Sequence, residues 1–283
     1  SQKNSGNFGL SYLKIAIDAR AVGMGEAYCA AANDAAAVYW NPAGLANSNH
    51  SNVFFNHNEW IEDIRGEFAS MVLKSGKSAW ALSVRSFSID DIDVRMFPSE
   101  TPLEKTSANY WSAGISYSRR IQSNISMGLT VKYLFEKIYT ESAFGFASDL
   151  GITYRNIISN LSLAATLQNL GKLNNFQDEA SELPIIFRFG FYYNMPLSGE
   201  NFDINIAADL VKTSGDKTHL HLGSELVFFK QLAIRGGYLN GYDSREFNMG
   251  AGILRSTLRM DYAITPFNQN LGVAHRFCVA FNI

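Results

Sequence analysis

The stretch ISMGLTVKYLFE, residues 125–136, decides the fold. Ile125, Met127, Leu129, Val131, Tyr133 and Phe135 share one side of an extended chain; Ser126, Gly128, Thr130, Lys132 and Glu136 share the other. Side chains of a strand alternate between two faces, so this pattern reads as a strand with one apolar and one polar side. The same period recurs along the chain. In LRMDYAIT (258–265), Leu258, Met260, Tyr262 and Ile264 oppose Arg259, Asp261, Ala263 and Thr265. In FDINIAADL (202–210), Ile204, Ile206, Ala208 and Leu210 oppose Asn205, Ala207 and Asp209. IIFRFGFYY (185–193) sets Ile185, Phe187, Phe189, Phe191 and Tyr193 against Arg188 and Gly190. GVAHRFCVAF (272–281) sets Val273, Phe277, Val279 and Phe281 against Ala274, Arg276, Cys278 and Ala280, with His275 on the apolar side.

About fourteen such segments follow one another, at 49–58, 65–75, 78–89, 107–120, 123–137, 143–156, 159–169, 184–195, 202–212, 217–229, 231–240, 246–255, 257–266 and 272–283. Many approach ten residues, the length that crosses a bilayer as a tilted strand. Their connections alternate between tight (Ser75 to Lys77, Gln122-Ser123, Asn156 to Asn160, Phe229 to Gln231, Arg255-Ser256) and longer (Ile89 to Thr106, Leu170 to Leu183, Lys212 to Lys217, Asn240 to Arg245, Pro266 to Gly272). An outer-membrane barrel has an even strand number, short periplasmic turns and longer external loops. The rival is a soluble β-sandwich. It is disfavoured because the polar face is mostly Gly, Ala, Ser and Thr with sparse charges, whereas the apolar face carries Trp80, Trp111, Tyr117, Phe187, Phe189, Phe191, Tyr238 and Phe247. The expected fold is therefore all-β: a transmembrane antiparallel β-barrel of about fourteen strands over 49–283, preceded by a separate segment over 1–48.

Bulk composition excludes several classes. A net charge of -2 points to neither nucleic acid nor an anionic membrane surface. Hydrophobic residues make up 47 % while mean hydropathy is -0.07, so the apolar residues are dispersed, and no run reaches the length of a membrane helix. The polar start at Ser1 fits either a chain that was never exported or a mature form whose signal peptide has been removed. The expected location is the bacterial outer membrane, signal removed, with both termini periplasmic. Cys29 and Cys278 lack metal-ligand spacing; they read as two buried or lipid-facing thiols or as a single bridge.

The N-terminal segment is rich in small residues: DARAVGMGEAYCAAANDAAAVYWNPAGLA, Asp18 to Ala46. Asn33-Asp34 can cap a short helix, and Pro42 forces Asn41 to be extended and ends it. A compact segment of this kind suits a helical or irregular plug (a hatch) in the lumen, marked by Trp40, Asn41, Pro42 and Gly44; a periplasmic cap is the alternative.

The same stretch resembles the N-terminal signature of the PorV/PorQ family, a branch of the FadL-like outer-membrane barrels. The likeness continues in LQNLG (167–171), LPIIFRFGFYY (183–193), IRGGYLNGYDSREFNMGAGI (234–253) and MDYAITPFNQNLGVAHRFCVAF (260–281). Asn33-Asp34 stands where the family pattern has an acidic pair. The resemblance implies a fourteen-stranded barrel with a luminal hatch. It also implies a role in type IX secretion, where PorV-like proteins receive substrates bearing a conserved C-terminal domain from a translocon and carry them to a surface attachment complex. The external loops here are modest for gripping such a client.

Catalysis has little support, since no nucleophile motif or P-loop is present. No cofactor or metal is expected: His219 and His221 alternate on one strand face, but a third ligand is needed and Glu225 is the near candidate. Asp209, Glu225, Arg235, Arg259, Asp261 and Arg276 lie on inward faces of consecutive strands, where cross-strand pairing can satisfy them as a luminal charge network. Ile92, Met96, Phe97 and Phe176, in DDIDVRMFPSETPLEKT (90–106) and QNLGKLNNFQDEASELP (168–184), are apolar residues in acidic loops, suited either to docking a protein partner or to packing over the barrel mouth. The partners expected are outer-membrane lipid and a protein, a secretion translocon or secreted client. A FadL-like channel for hydrophobic small molecules and a structural barrel anchoring a surface assembly are the competing functions.

Overall fold

The computed structural model describes residues 10–61, 64–94, 104–174, 182–196 and 202–283. The first half of the barrel comprises β1 (Asn52–Glu59), β2 (Arg65–Ser75), β3 (Ser78–Val94), β4 (Glu104–Arg120), β5 (Ile125–Ile138), β6 (Glu141–Arg155) and β7 (Leu161–Leu173). The second half comprises β8 (Ile186–Pro196), β9 (Phe202–Thr213), β10 (Thr218–Phe228), β11 (Leu232–Asn240), β12 (Phe247–Leu254), β13 (Leu258–Pro266) and β14 (Val273–Asn282). Each strand pairs antiparallel with its sequence neighbours, and β1 pairs with β14, so the sheet closes with no edge. Closure satisfies every ladder hydrogen bond within the barrel, which a bilayer demands.

Alternation sorts the side chains as the sequence implies. Outward lie Trp80 (55 % exposed), Leu82, Ile115, Phe146, Phe187, Ile234 and Phe247. Inward and buried lie Ser118, Thr130, Asp149, Thr166, Asp209, Glu225 and Arg276. Aromatic pairs such as Trp80–Tyr117, with centroids 4.7 Å apart, sit on the outer wall near the tight turns. This is the interfacial girdle typical of outer-membrane barrels.

One connection differs from expectation. β3 runs on to Val94 and β4 begins at Glu104, with a register shift between Ile89 and Ile92. Ile92 is therefore a strand residue opposite Thr106, not a loop residue. A bulge lets the backbone ladder continue through the acidic run whatever its side chains. Met96, Phe97 and Phe176 lie outside the described residues.

The N-terminal segment fills the lumen, so the periplasmic-cap alternative is set aside. A 3-10 turn (Ser11–Lys14) leads to α1 (Ala19–Gly23), α2 (Ala37–Trp40) and a second 3-10 turn (Pro42–Asn47). Asp34 Oδ1 accepts from Ala36 N at 3.0 Å in the turn that opens α2. Asn41 is extended (φ -164°) and ends it, since the residue before a proline is pushed out of the helical region. The segment's first part packs against β11 to β14 and its last part against β3 to β6.

The first and last described residues lie toward different ends of the barrel. Ile283 N donates to Ser51 O at 2.8 Å, on the rim of tight turns. Leu10, the first described residue, is buried with Phe87, Leu134 and Leu173 toward the opposite end, where the longer connections lie. An even strand count fixes where the barrel begins and ends, not how the segment before it threads the lumen.

Candidate functional site

The candidate site is the contact between plug and wall. The plug's small residues answer small residues in the wall. A Cβ on Gly237 would overlap the Gly25 amide, and a Cβ on Gly151 would overlap Asn41 Oδ1. Plug backbone thus lies directly on barrel backbone, a distance only glycine permits. Gly25 also holds φ +62°, the left-handed region, which lets the chain turn there.

The four predicted plug residues come together at one place. Trp40 is fully buried, with Tyr28 and Tyr39 edge-on at 5.9 and 5.0 Å and the Arg188 guanidinium 5.1 Å from its ring centre. Asn41 Nδ2 donates to Cys29 O at 3.2 Å and to Ile152 O in the wall at 3.3 Å; its Oδ1 accepts from Ala43 N at 3.1 Å. Pro42 begins the second 3-10 turn, and Gly44 packs so tightly on the Ala32 carbonyl that a Cβ would overlap it.

The charged residues divide into two kinds. Glu225, Arg235, Asp261 and Arg259 form a continuous chain. Arg235 Nε donates to Glu225 Oε1 at 3.1 Å, from its register partner on the next strand. Arg235 Nη1 lies 2.8 Å from Asp261 Oδ1 without hydrogen-bond alignment, and Arg259 Nε donates to Asp261 Oδ2 at 2.7 Å. Asp209 and Arg276 stand outside it. Asp209 Oδ2 accepts from the plug amides Tyr28 N (3.0 Å) and Cys29 N (2.9 Å). Arg276 donates to Ala16 O at 3.3 Å and to Thr265 Oγ1 at 2.9 Å. For these two, the expectation of cross-strand partners of opposite charge is corrected: plug backbone takes that place.

The plug supplies members that the sequence reading missed. Arg20 donates to Glu225 through Nε (3.0 Å) and Nη2 (2.7 Å), a two-pronged pair. Arg259 Nη1 lies 2.7 Å from Asp34 Oδ2. The chain therefore runs from plug to wall and back to plug, Arg20–Glu225–Arg235–Asp261–Arg259–Asp34, three cations and three anions. A separate pair joins Glu26 to Arg245 in the β11–β12 connection. Burial would push the Glu26 carboxyl up, but the Arg245 guanidinium outweighs it and holds the group down to about 2. Asp18, capping α1 by accepting from Arg20 N, has no such close partner, and burial pushes it up to about 7. The signal was present: four charges, Asp18, Arg20, Glu26 and Asp34, in an otherwise small and apolar segment must be paired or neutralised once buried.

At the other end of the plug, Arg85 donates to Tyr12 O (3.0 Å) and Ile15 O (2.7 Å). The cavity between plug and wall, lined by Tyr39, Arg85, Lys132, Asp149, Gln168 and Asn169 among others, measures about 30 Å³. That holds a water or two, where a cavity of about 150 Å³ is what takes up benzene. His219 and His221 both face inward beside Tyr242; His221 Nε2 lies 3.0 Å from its hydroxyl and His219 stacks on its ring at 4.0 Å. Among the described residues no cluster of three His, Cys, Asp or Glu could hold a metal ion. Cys29 and Cys278 are both buried and unbridged; Ala19 N donates to Cys278 Sγ at 2.9 Å.

Comparison with known proteins follows from this geometry. The sequence matches the family described as type IX secretion system protein PorV over residues 1–152. It is 27 % identical over 164 residues to a UPF0164 protein of Treponema pallidum (strain Nichols), a match covering 54 % of this chain and 41 % of that protein. The alignment thus spans less than half of that relative's length. Among solved structures, the CymD monoaromatic hydrocarbon channel superposes with a TM-score of 0.63 at 12 % identity, covering 98 % of this chain and 99 % of that one. The Pseudomonas putida toluene transporter TodX gives 0.63 at 12 % identity, covering 92 % and 96 %. At these identities the likeness is one of fold.

Proposed function

We propose, from the premise that this chain belongs to the PorV family of type IX secretion system proteins, that it serves as an accessory or shuttle barrel of protein secretion and surface attachment. It is an outer-membrane β-barrel, of a family and fold made of transport barrels and not of enzymes. In this reading the tight turns face the periplasm and the longer connections face outward. Protein partners dock on those connections, around residues 90–106 and 168–184, with Ile92, Met96, Phe97 and Phe176 as contact residues. Plug residues Trp40, Asn41, Pro42 and Gly44 and the luminal charges keep the barrel shut.

The observation that carries the reading is the filled lumen. Plug and wall meet through backbone contacts and paired charges, and the cavity between them is water-sized. A channel for hydrophobic molecules needs an open passage, and the packed plug leaves beside it a cavity of about 30 Å³. The filled lumen supports a function exercised at the outer surface. The fold likeness to proteins named as hydrocarbon channels supports the competing reading, conduction through a plug that moves.

The test is gentle affinity purification from the native outer membrane with mass spectrometry, comparing the intact chain with one in which 95–103 is replaced by a short Gly-Ser linker. Secreted proteins sharing a C-terminal domain, or a large translocon barrel, accompany the intact chain and are lost with the replacement. Recovery of the barrel alone with a hydrophobic small molecule inside it would overturn the proposal in favour of the channel.

A further inference from the structure

One further carboxylate lies beside the luminal charge chain. Asp18 caps the start of α1, its Oδ1 accepting from Arg20 N at 2.9 Å. It is fully buried, and its Oδ2 has no hydrogen-bond partner among the described residues. No cation among them lies within ion-pair distance of it: Arg20 is turned to Glu225, and Arg259 is engaged by Asp34 and Asp261. The cluster thus sets Arg20, Arg235 and Arg259 against Asp18, Asp34, Glu225 and Asp261, one anion too many. A buried anion without a partner is costly, and the cheapest remedy is a proton.

Hydrogen bonds fix where Asp18 sits. Asn56 on β1, Cys278 on β14 and Asp261 on β13 are register partners in one row across the inward face. Asn56 Oδ1 accepts from Asp18 N at 3.0 Å, and Cys278 Sγ accepts from Ala19 N at 2.9 Å. Asp18 therefore lies against the strands next to Asp261. Its φ is +73°, a backbone state that a side chain makes strained. The ionisable groups facing it are Arg20 and Asp34 from the plug, Arg259 and Asp261 from β13 and Cys278 from β14; Asn56, its neighbour on β1, does not ionise. Burial is the largest influence against its charge, Asp34 and Asp261 add to it, and Arg259 and Arg20 oppose it without reversing it.

We propose that Asp18 is a proton-operated latch of the plug: neutral, it seats α1 on the wall of β1, β14 and β13; ionised, it loosens that helix. Loss of the proton puts an unpaired charge beside Asp34 and Asp261, and lifting α1 off the wall relieves both that repulsion and the strained backbone. An open plug gives Asp18 to water, where its ordinary value is 3.8, whereas the closed plug holds it at about 7. Across that window rising pH takes the proton from the open form first, so the closed form loses stability; above about 7 both are ionised and the loss levels off. Between pH 5 and pH 8 this is roughly a hundredfold in the equilibrium between seated and lifted α1. The last plug turn, Pro42–Asn47, packs on β3 to β6 and is not part of the latch. The latch rests on neither the secretion reading nor a protein partner.

The experiment is hydrogen exchange read by mass spectrometry on the full chain in non-ionic detergent, from pH 5 to pH 8, with each rate divided by the intrinsic rate at that pH. Peptides covering 16–24 should lose about a hundredfold in protection over the range, and peptides covering 42–47 should not follow. Asp18→Asn keeps the capping oxygen and cannot ionise, so its 16–24 peptides should hold one level of protection throughout. Asp34→Asn keeps the oxygen that accepts from Ala36 N and removes a neighbouring anion, so the fall in protection should be smaller and end at lower pH. A parent without the fall, or Asp18→Asn with the parent's fall, overturns the latch. Should Asp18→Asn not fold, Asp34→Asn decides alone: a fall that moves to lower pH supports the latch, and one that stays where it is in the parent overturns it.

Discussion

Glu225→Ala tests whether paired charges hold the plug. Glu225 is fully buried and accepts from Arg20 twice, from Arg235 once and from Asn205 Nδ2 at 3.2 Å. Its removal leaves three guanidinium groups against two carboxylates in the chain. Arg235 is not the orphan, because Asp261 remains 2.8 Å away. Arg20 is: its side chain is only 14 % exposed and, among the described residues, no second acid is within ion-pair distance. Removing one member of a buried pair costs about 3–5 kcal/mol, and the surviving Asp261 contact argues for the lower end. About 3 kcal/mol is roughly a hundredfold in the equilibrium between closed and locally open plug. Hydrogen exchange read by mass spectrometry resolves this. Peptides covering 18–32 exchange about a hundred times faster in the variant, and peptides from β3 to β6 keep their rates, because local opening need not unfold the barrel. Replacing both members, Arg20→Met/Glu225→Leu, recovers much of the protection, since an apolar pair of similar volume carries no unpaired charge. Plug exchange within about threefold of the parent in Glu225→Ala would refute the reasoning and make backbone contact the clamp.

Three further outcomes follow from the same geometry. Gly237→Ala places a methyl on the Gly25 amide, so the plug must shift; overpacking of this kind costs about 1–3 kcal/mol, and the 18–32 peptides should gain exchange while barrel yield is unchanged. The Glu26 carboxyl is held at about 2 against an ordinary value of 4.5, so its pairing stabilises the fold above pH 4.5 and is lost as pH falls toward 2. Thermal midpoints should therefore drop across that window in the parent and drop less in Arg245→Met; parallel curves would count against the pair. Cys29 and Cys278 are buried and unbridged, so a maleimide should label neither in the folded barrel and both after denaturation without reductant.

The barrel was legible because one physical rule, alternation, runs through every strand, and tight turns such as Phe229 to Gln231 fix the register that sets Glu225 opposite Arg235. Arg259 and Asp261, two apart on one strand, were equally readable. What pairs with Arg20 or Asp34 was not, because Arg20 and Glu225 stand 205 residues apart and meet only through the way the plug threads the lumen. Asp209 and Arg276 misled for a related reason: their partners include backbone groups of Tyr28, Cys29 and Ala16, and every residue has those, so composition carries no trace of them. The wall glycines could be seen on the inward face, yet which plug atom each one admits depends on the same threading. Ile92 was placed in a loop because an acidic run looks like one, while the bulge after Ile89 lets the ladder continue through it.

A shared fold and a shared interior are different things. This chain superposes on two proteins named as hydrocarbon channel and toluene transporter with a TM-score of 0.63, at 12 % identity. Strand number and closure need only alternation, which survives wholesale replacement of side chains, so shape persists where chemistry has been rewritten. The chemistry here is on the inward face. The plug is joined to the wall by Arg20–Glu225, Asp34–Arg259 and Glu26–Arg245. Moving it as a body separates all three at once and exposes backbone that glycine contacts now cover. Separating these pairs and uncovering packed backbone disfavours spontaneous opening, and a hydrophobic solute that binds neither charge nor amide gives nothing in return. On the proposed reading, an agent that opens this barrel is one that brings ionic partners of its own, as a docked protein can and a hydrocarbon cannot.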